Sequence, residues 1–259
     1  VQECVNCKLI QVAQIPEDLS VYYDTEDYFN PDGETKTGYH ENYDLLSPFF
    51  LYWQGALLEE VQRYSKSKSV LEVGCATGNA LEMISGLLPD TVVKGIDIST
   101  YGIDLCLQKG LDAEVSTIDV YKGRQKVDII FSSETMEHVD NLKEFVEGVK
   151  YNLHEKGAFV FYVPAVKRED IVAQGEKYPS LMTSLEHVSY FTNSFLTKEI
   201  QKAFEASVVV HTVSTNQEDY HIGVVSKDAS LVKHMKEFLD GIEAPTKLAK
   251  SWKATTLYN

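Results

Sequence analysis

The chain has 259 residues, 44% of them apolar, and a formal net charge of −15. That length suits one large α/β domain with appendages; the apolar share is ordinary for a globular protein, and no apolar run approaches the ~20 residues that span a bilayer. So acidic a surface repels phosphate backbones, which argues against a nucleic-acid partner, and with no signal or transit peptide visible the expected setting is the cytoplasm.

Residues 1–47 read as an irregular, aromatic-rich arm or lid carrying Tyr22, Tyr23, Tyr28, Phe29, Tyr39 and Tyr43, with turn signals at Pro16 and Pro31-Asp32-Gly33. Cys4 and Cys7 in this arm form a C-x-x-C pair, half of a tetrahedral zinc site. A helix begins at Ser47-Pro48, with Ser47 as its cap, and Phe50, Trp53, Leu57, Leu58, Val61 and Tyr64 follow at helical spacing. Strands and helices then alternate. Ser69–Val73 is a short apolar strand ending at a glycine, and Asn79–Leu88 a helix. Thr91–Ile96 is a second strand ending at Asp97, and Ser99 caps a helix that runs to Gly110. Ala113–Val115 is a weak third strand and Val127–Phe131 a strong fourth; Leu142, Phe145, Val146, Val149 and Leu153 mark a helix, and Ala158–Val163 is a fifth strand stopped by Pro164. After a long loop, Thr192–Phe204 is a helix, Ser207–Val213 and Tyr220–Ser226 form a hairpin, and Ala229–Ile242 is a last amphipathic helix.

Such alternation predicts a doubly wound α/β sheet of seven strands, mostly parallel, with a terminal antiparallel hairpin. The expected division is an arm at 1–47, a main domain at 48–228, and a helix and tail at 229–259. Cys75 and Cys106 lie in apolar patterns and are expected as buried thiols. The chain starts at Val1 and closes on a polar stretch, Ser251 to Asn259, the pattern of a piece with further domains of a longer polypeptide around it.

The segment Val70-Leu71-Glu72-Val73-Gly74-Cys75-Ala76-Thr77-Gly78-Asn79 is a strand, a glycine turn and a helix start. A dinucleotide-binding loop would need G-x-G-x-x-G to seat pyrophosphate on the helix N-terminus. Here those places hold Gly74, Ala76 and Asn79, so the last glycine fails. The chain reads E-x-G-x-A-x-G instead, and an acid two residues before the first glycine would repel pyrophosphate while suiting a ligand that carries positive charge.

This loop resembles the first motif of the class I S-adenosylmethionine-dependent methyltransferases, with Ala76 in place of the middle glycine. Further along, Lys94-Gly95-Ile96-Asp97-Ile98-Ser99 resembles that family's second strand, and Thr117-Ile118-Asp119-Val120 the segment that meets adenine. Val127-Asp128-Ile129-Ile130-Phe131-Ser132 resembles the fourth strand, and Glu137-His138-Val139 the motif after it. The resemblance implies a Rossmann-like fold, S-adenosylmethionine as cofactor, and contacts from Glu72, Gly74, Ala76, Gly78, Asp97, Ile98, Asp119, Val120 and Ser132. Asp97 would grip the ribose hydroxyls and Asp119 accept from the adenine amino group. Cys4-x-x-Cys7-Lys8-Leu9, followed by the paired aromatics Tyr22-Tyr23 and Tyr28-Phe29, resembles a subgroup that methylates sugars and other small metabolites and in which some members carry a zinc knuckle. Lys8 stands where that subgroup has glycine, and a second cysteine pair would have to lie upstream, so no metal is expected here.

For the chemistry, an alcohol attacking a methyl group must lose a proton, so a base near the carboxyl edge of the sheet is expected. Two E-H-V tripeptides fall there, Glu137-His138-Val139 and Glu186-His187-Val188. His187 is the first candidate base, because its long loop is free to shape an acceptor pocket, and His138 the second. The implied acceptor is a sugar, glycan or other small molecule. Two rivals stand beside this reading: a nicotinamide-dependent oxidoreductase, and a methyltransferase fold kept only as a scaffold.

Overall fold

In a computed structural model the chain is described at residues 2–15, 19, 23, 28, 48–123, 125–166, 187–214 and 219–241. In chain order the elements are β1 (Gln2–Glu3), β2 (Ile10–Gln11), α1 (Pro48–Ser65), β3 (Ser69–Val73), α2 (Asn79–Leu87), β4 (Val92–Asp97), α3 (Thr100–Gln108), β5 (Ala113–Val115) and β6 (Val127–Ser133). A 3₁₀ turn at Met136–His138 precedes α4 (Leu142–Asn152), β7 (Leu153–Pro164) and β8 (Ser189–Tyr190). Asn193–Phe195, the π turn Leu196–Ile200 and Gln201–Phe204 together make α5; β9 (Ser207–Ser214), β10 (Asp219–Ser226) and α6 (Ala229–Gly241) complete the series.

Seven strands form one sheet in the order β5-β4-β3-β6-β7-β10-β9. The first five run parallel, and β10 lies antiparallel to both its neighbours. This is the expected Rossmann-like sheet with its terminal hairpin. It follows from the period-2 pattern of the central strands, both of whose faces are covered. Leu71, Ile130, Phe159, Phe161 and Val163 point to one core with Phe145, Val149, Phe195 and Phe204 of α4 and α5. The alternate residues Val70, Ile129, Phe131, Val160 and Tyr162 point to the other, with Trp53, Leu57 and Val61 of α1, Ile84 of α2 and Leu231, Met235 and Leu239 of α6.

Local signals set the helix starts. Ser99 accepts from the Gly102 N–H at 3.0 Å, Asn141 from Glu144 at 3.3 Å and Thr192 from Phe195 at 3.2 Å, caps worth about 1 kcal/mol each. The fifth core strand, expected from Ala158, starts at Leu153 because α4 passes into it directly, with a register irregularity opposite Val127 and Ile129.

The N-terminal arm, expected to be irregular, contains a short hairpin. β1 pairs with β2, and β2 pairs with β8 in a separate three-stranded sheet. Leu9 at the end of the hairpin turn joins the core beside Phe191 and Leu196. Such two-residue strands carry no alternation to read, which is why the sequence concealed them. Of the arm's tyrosines, Tyr22, Tyr39 and Tyr43 lie outside the described residues, as do Phe29, Glu186 and the stretch 251–259. Among the described residues no helix is long and apolar enough to cross a membrane.

Candidate functional site

The parallel strands β3, β4, β5, β6 and β7 all deliver their carboxyl ends to one edge, where ligands of open α/β sheets bind. The β3–β4–β5 part of that edge is a loop held in shape by its own side chains. Gly74 and Gly78 take φ of +77° and +85°, and Ala76 stands at +47°, a left-handed turn that costs a non-glycine residue about 1 kcal/mol. The Asp97 carboxylate holds this turn: Oδ2 accepts from the Ala76 N–H and Oδ1 from the Ser99 N–H, both at 2.9 Å. Gly74 is needed for a close approach that the sequence did not disclose. A Cβ there would sit 2.2 Å from Thr135 Oγ1, whose hydroxyl donates to the carbonyls of Val73 and Ser133 at 3.2 and 3.0 Å.

Glu72 lies beneath this turn, 3% exposed, and its Oε2 has no hydrogen-bond partner. Burial pushes its carboxyl well above the usual range, and the nearby Cys106 and Asp97 push it the same way. Cys75 and Cys106 are buried free thiols, as expected, and Cys106 donates to the Ala76 carbonyl at 3.4 Å. Ile98 is partly buried after β4, and Ser132 is fully buried on β6 with an unpartnered Oγ.

Asp119 and Val120 sit on the turn that follows β5, Asp119 partly buried and Val120 63% exposed. An unforeseen residue shapes that turn. The buried amide of Asn152, at the end of α4, donates to the Gly148 and Tyr121 carbonyls at 2.9 and 3.1 Å and accepts from the Gly123 N–H at 3.3 Å. Gly148 lets the helix come this near, since a Cβ would lie 2.5 Å from the Ile118 carbonyl oxygen.

Beyond β6 the edge changes character. The 3₁₀ turn Met136–His138 carries Glu137, 1% exposed, with neither carboxylate oxygen hydrogen-bonded. Burial, then the charge of Glu134, raises its carboxyl well above the usual range. The carbonyl of Glu137 accepts from the Val188 N–H at 2.8 Å, and Val12 donates to the Val188 carbonyl at 3.0 Å. That strap lays the segment from His187 across the 3₁₀ turn. It brings the rings of His138 and His187 to 4.7 Å, at 76°, so the two candidate bases, far apart in sequence, form one cluster. His138 Nδ1 and the Tyr23 hydroxyl lie 2.8 Å apart, and Nε2 is 3.9 Å from Glu137 Oε1. Tyr23 also meets His138 and Tyr28 edge-on, at 5.5 and 5.2 Å. Burial depresses His187 to a pKa of about 4, so the ring is neutral at neutral pH. Nearby, Gln54 of α1 donates to Ser133 Oγ at 2.7 Å while its own carbonyl oxygen is buried without a partner.

The residues of the first half fit S-adenosylmethionine. A buried carboxyl with an unpartnered Oε2 lies under the loop for a cationic ligand, and an acid ends β4. A second acid and an exposed apolar side chain follow β5, where a flat base would lie.

Comparison with known proteins agrees. A family described as methyltransferase domain matches residues 49–203. The malonyl-[acyl-carrier protein] O-methyltransferase of Bacillus cereus is 26% identical over 106 residues, 39% of this chain and 39% of that protein. The match thus spans well under half the length of that curated relative. Among solved structures, the plantazolicin methyltransferase BpumL in complex with SAH superposes with a TM-score of 0.59 at 19% identity, covering 80% of this chain and 96% of that one. The DhpI-SAM-HEP complex gives a TM-score of 0.52 at 19% identity, covering 71% and 90%. At these identities the two structural likenesses speak for the fold.

Proposed function

The chain belongs to the methyltransferase-domain family, class I and S-adenosylmethionine-dependent, and from that premise we propose that it methylates a hydroxyl of a sugar, glycan or other small metabolite. When bound, S-adenosylmethionine supplies a methyl group activated on a sulfonium, open to in-line displacement. Glu72 places negative charge beneath the glycine turn, opposite the cofactor's cationic end. Asp97 takes the ribose hydroxyls, and by holding Ala76 and Ser99 it fixes the loop they rest on. Asp119 accepts from the adenine amino group, and Val120 and Ile98 cover the ring.

The observation that carries the acceptor chemistry is the meeting of His138 and His187 beside Glu137 at the end of β6. A hydroxyl held there can pass its proton to an imidazole nitrogen as its oxygen attacks. Tyr23 engages Nδ1 of His138 and so orients Nε2 for that work. His187, neutral through burial, offers a weaker base and a polar wall. The arm closes this side of the edge through Tyr23 and the β2–β8 pairing, which supports a lid at 1–47 on a main domain at 48–228.

The test is a cofactor-consumption assay across nucleotide sugars, free glycans, hydroxylated metabolites and malonyl thioesters. Turnover with a hydroxyl acceptor is the expected result. Turnover confined to the thioesters would replace the hydroxyl by a carboxylate. Cofactor binding with no turnover on any acceptor class would leave the chain a scaffold.

A further inference from the structure

We propose that Glu137, His138 and His187 together bind a divalent transition-metal ion, of the Mn²⁺, Fe²⁺ or Zn²⁺ kind. The proposal deepens the reading of the acceptor edge and rests on it only for what the ion would meet there. One ligand atom from each residue can be chosen so that all three lie within 4.8 Å of one another. Ligands on such an ion, at about 2.1 Å from it, stand roughly 3–4 Å apart, so side-chain shifts of about 1–2 Å complete the set.

Three further observations point to a cation. The Glu137 carboxyl is fully buried with neither oxygen hydrogen-bonded; buried polar groups are otherwise paired, and an unpaired buried carboxylate is costly. Among the described residues it faces two imidazoles, and no lysine or arginine is paired with it. The hydrogen bond at Nδ1 of His138 is the arrangement a ligating histidine needs. Nδ1 lies 2.8 Å from Tyr23 Oη; in the tautomer whose Nδ1–H donates to that oxygen, the lone pair is on Nε2, the nitrogen that faces Glu137 at 3.9 Å.

Two histidines and one carboxylate on one side of an ion leave its other positions open. These suit an acceptor presenting two adjacent oxygens, such as a vicinal diol. The ion would then orient the hydroxyl and raise its acidity, and the histidines would serve as ligands. No local pattern announces this site, because its ligands come from segments about fifty residues apart, brought together by the Val188–Glu137 backbone bond.

The experiment uses the full chain with Cys4→Ser and Cys7→Ser, so that thiolates cannot compete, stripped by EDTA and titrated with Mn²⁺ (by paramagnetic resonance) and Co²⁺ (by visible absorption). One ion per chain is expected. Glu137→Gln and His187→Ala should each weaken binding at least about tenfold, and Tyr23→Phe, which removes only a hydroxyl, about tenfold. Melting curves establish that each variant is folded. No binding at about 1 mM ion, or undiminished binding in folded Glu137→Gln and His187→Ala, overturns the proposal. Binding is read without cofactor or acceptor. A failed metal site therefore leaves the methyl-transfer reading standing on its histidine base, and a failed activity screen leaves the metal result intact.

Discussion

On the β3–β4–β5 side of the edge, each functional group stands within a few residues of the strand that carries it: Glu72 and Gly74 at β3, Asp97 at β4, Asp119 after β5. On the β6–β7 side, four remote pieces must meet. Tyr23 comes from the arm, Gln54, bonded to Ser133, from α1, Glu137 and His138 from the turn after β6, and His187 from just before β8. A ligand common to a whole family can be bound by local motifs with fixed spacing. An acceptor that changes from member to member suits a pocket whose walls are brought in from outside the sheet.

The sharpest way to break the contrast is at Gly74. Gly74→Val puts a branched side chain against Thr135, 2.2 Å from the Cβ position, at a φ of +77°, costing several kcal/mol. Cofactor binding should vanish by calorimetry and the melting temperature fall steeply; retained affinity would show that the turn does not seat the cofactor. Next come the histidines. His138→Ala should cut turnover by about 10²–10⁴-fold with cofactor affinity unchanged, and His187→Ala less. Equal loss of cofactor binding would merge the two regions into one.

Asp97→Ala removes both the proposed ribose contacts and the tether to Ala76. It should weaken the cofactor by about 10–100-fold, on the scale of two charge-assisted hydrogen bonds, while Asp97→Asn keeps part of the tether. If the two variants bind alike and near wild type, Asp97 only shapes the loop.

Glu72 gives the smallest effect and the most informative sign. Its folded-state pKa is raised by burial, so ionising it costs stability from its unfolded value near 4.3 upward, and none below. Without cofactor, Glu72→Gln should therefore melt higher than wild type at neutral pH, by something on the order of 1 kcal/mol, and match it near pH 4 or below. With S-adenosylmethionine the order should reverse, because the charge then faces a cation. A variant that binds the cofactor as tightly as wild type would remove Glu72 from the cofactor site.

The same contrast explains what could be read in advance. The strands of the seven-stranded sheet and the helices between them follow from apolar period and caps, apart from the early start of β7, and the glycine turn with Asp97 is a local pattern of fixed spacing. Thr135 and Asn152 were invisible, since a threonine after a strand and an asparagine ending a helix look like ordinary loop polarity. Their roles arise from neighbours 62 and 31 positions away, at Val73 and Tyr121. Tyr23 was legible as an aromatic but not as the partner of His138, and the pairing of His138 with His187 needed the backbone bond between Val188 and Glu137.

A second fastening on this side has a consequence for how such an enzyme can be altered. Ala165 bridges to Phe191, and the Val166 N–H donates to the Phe191 carbonyl at 3.2 Å, so the segments that flank 167–186 are tied to each other. With both flanks clamped, a segment grafted between them has its closure set by the fold. Doubling its length adds only about 0.6 kcal/mol of closure entropy. Grafts of foreign loops between Val166 and His187 can therefore exchange the surface offered to an acceptor while the histidine at the graft's end keeps its station.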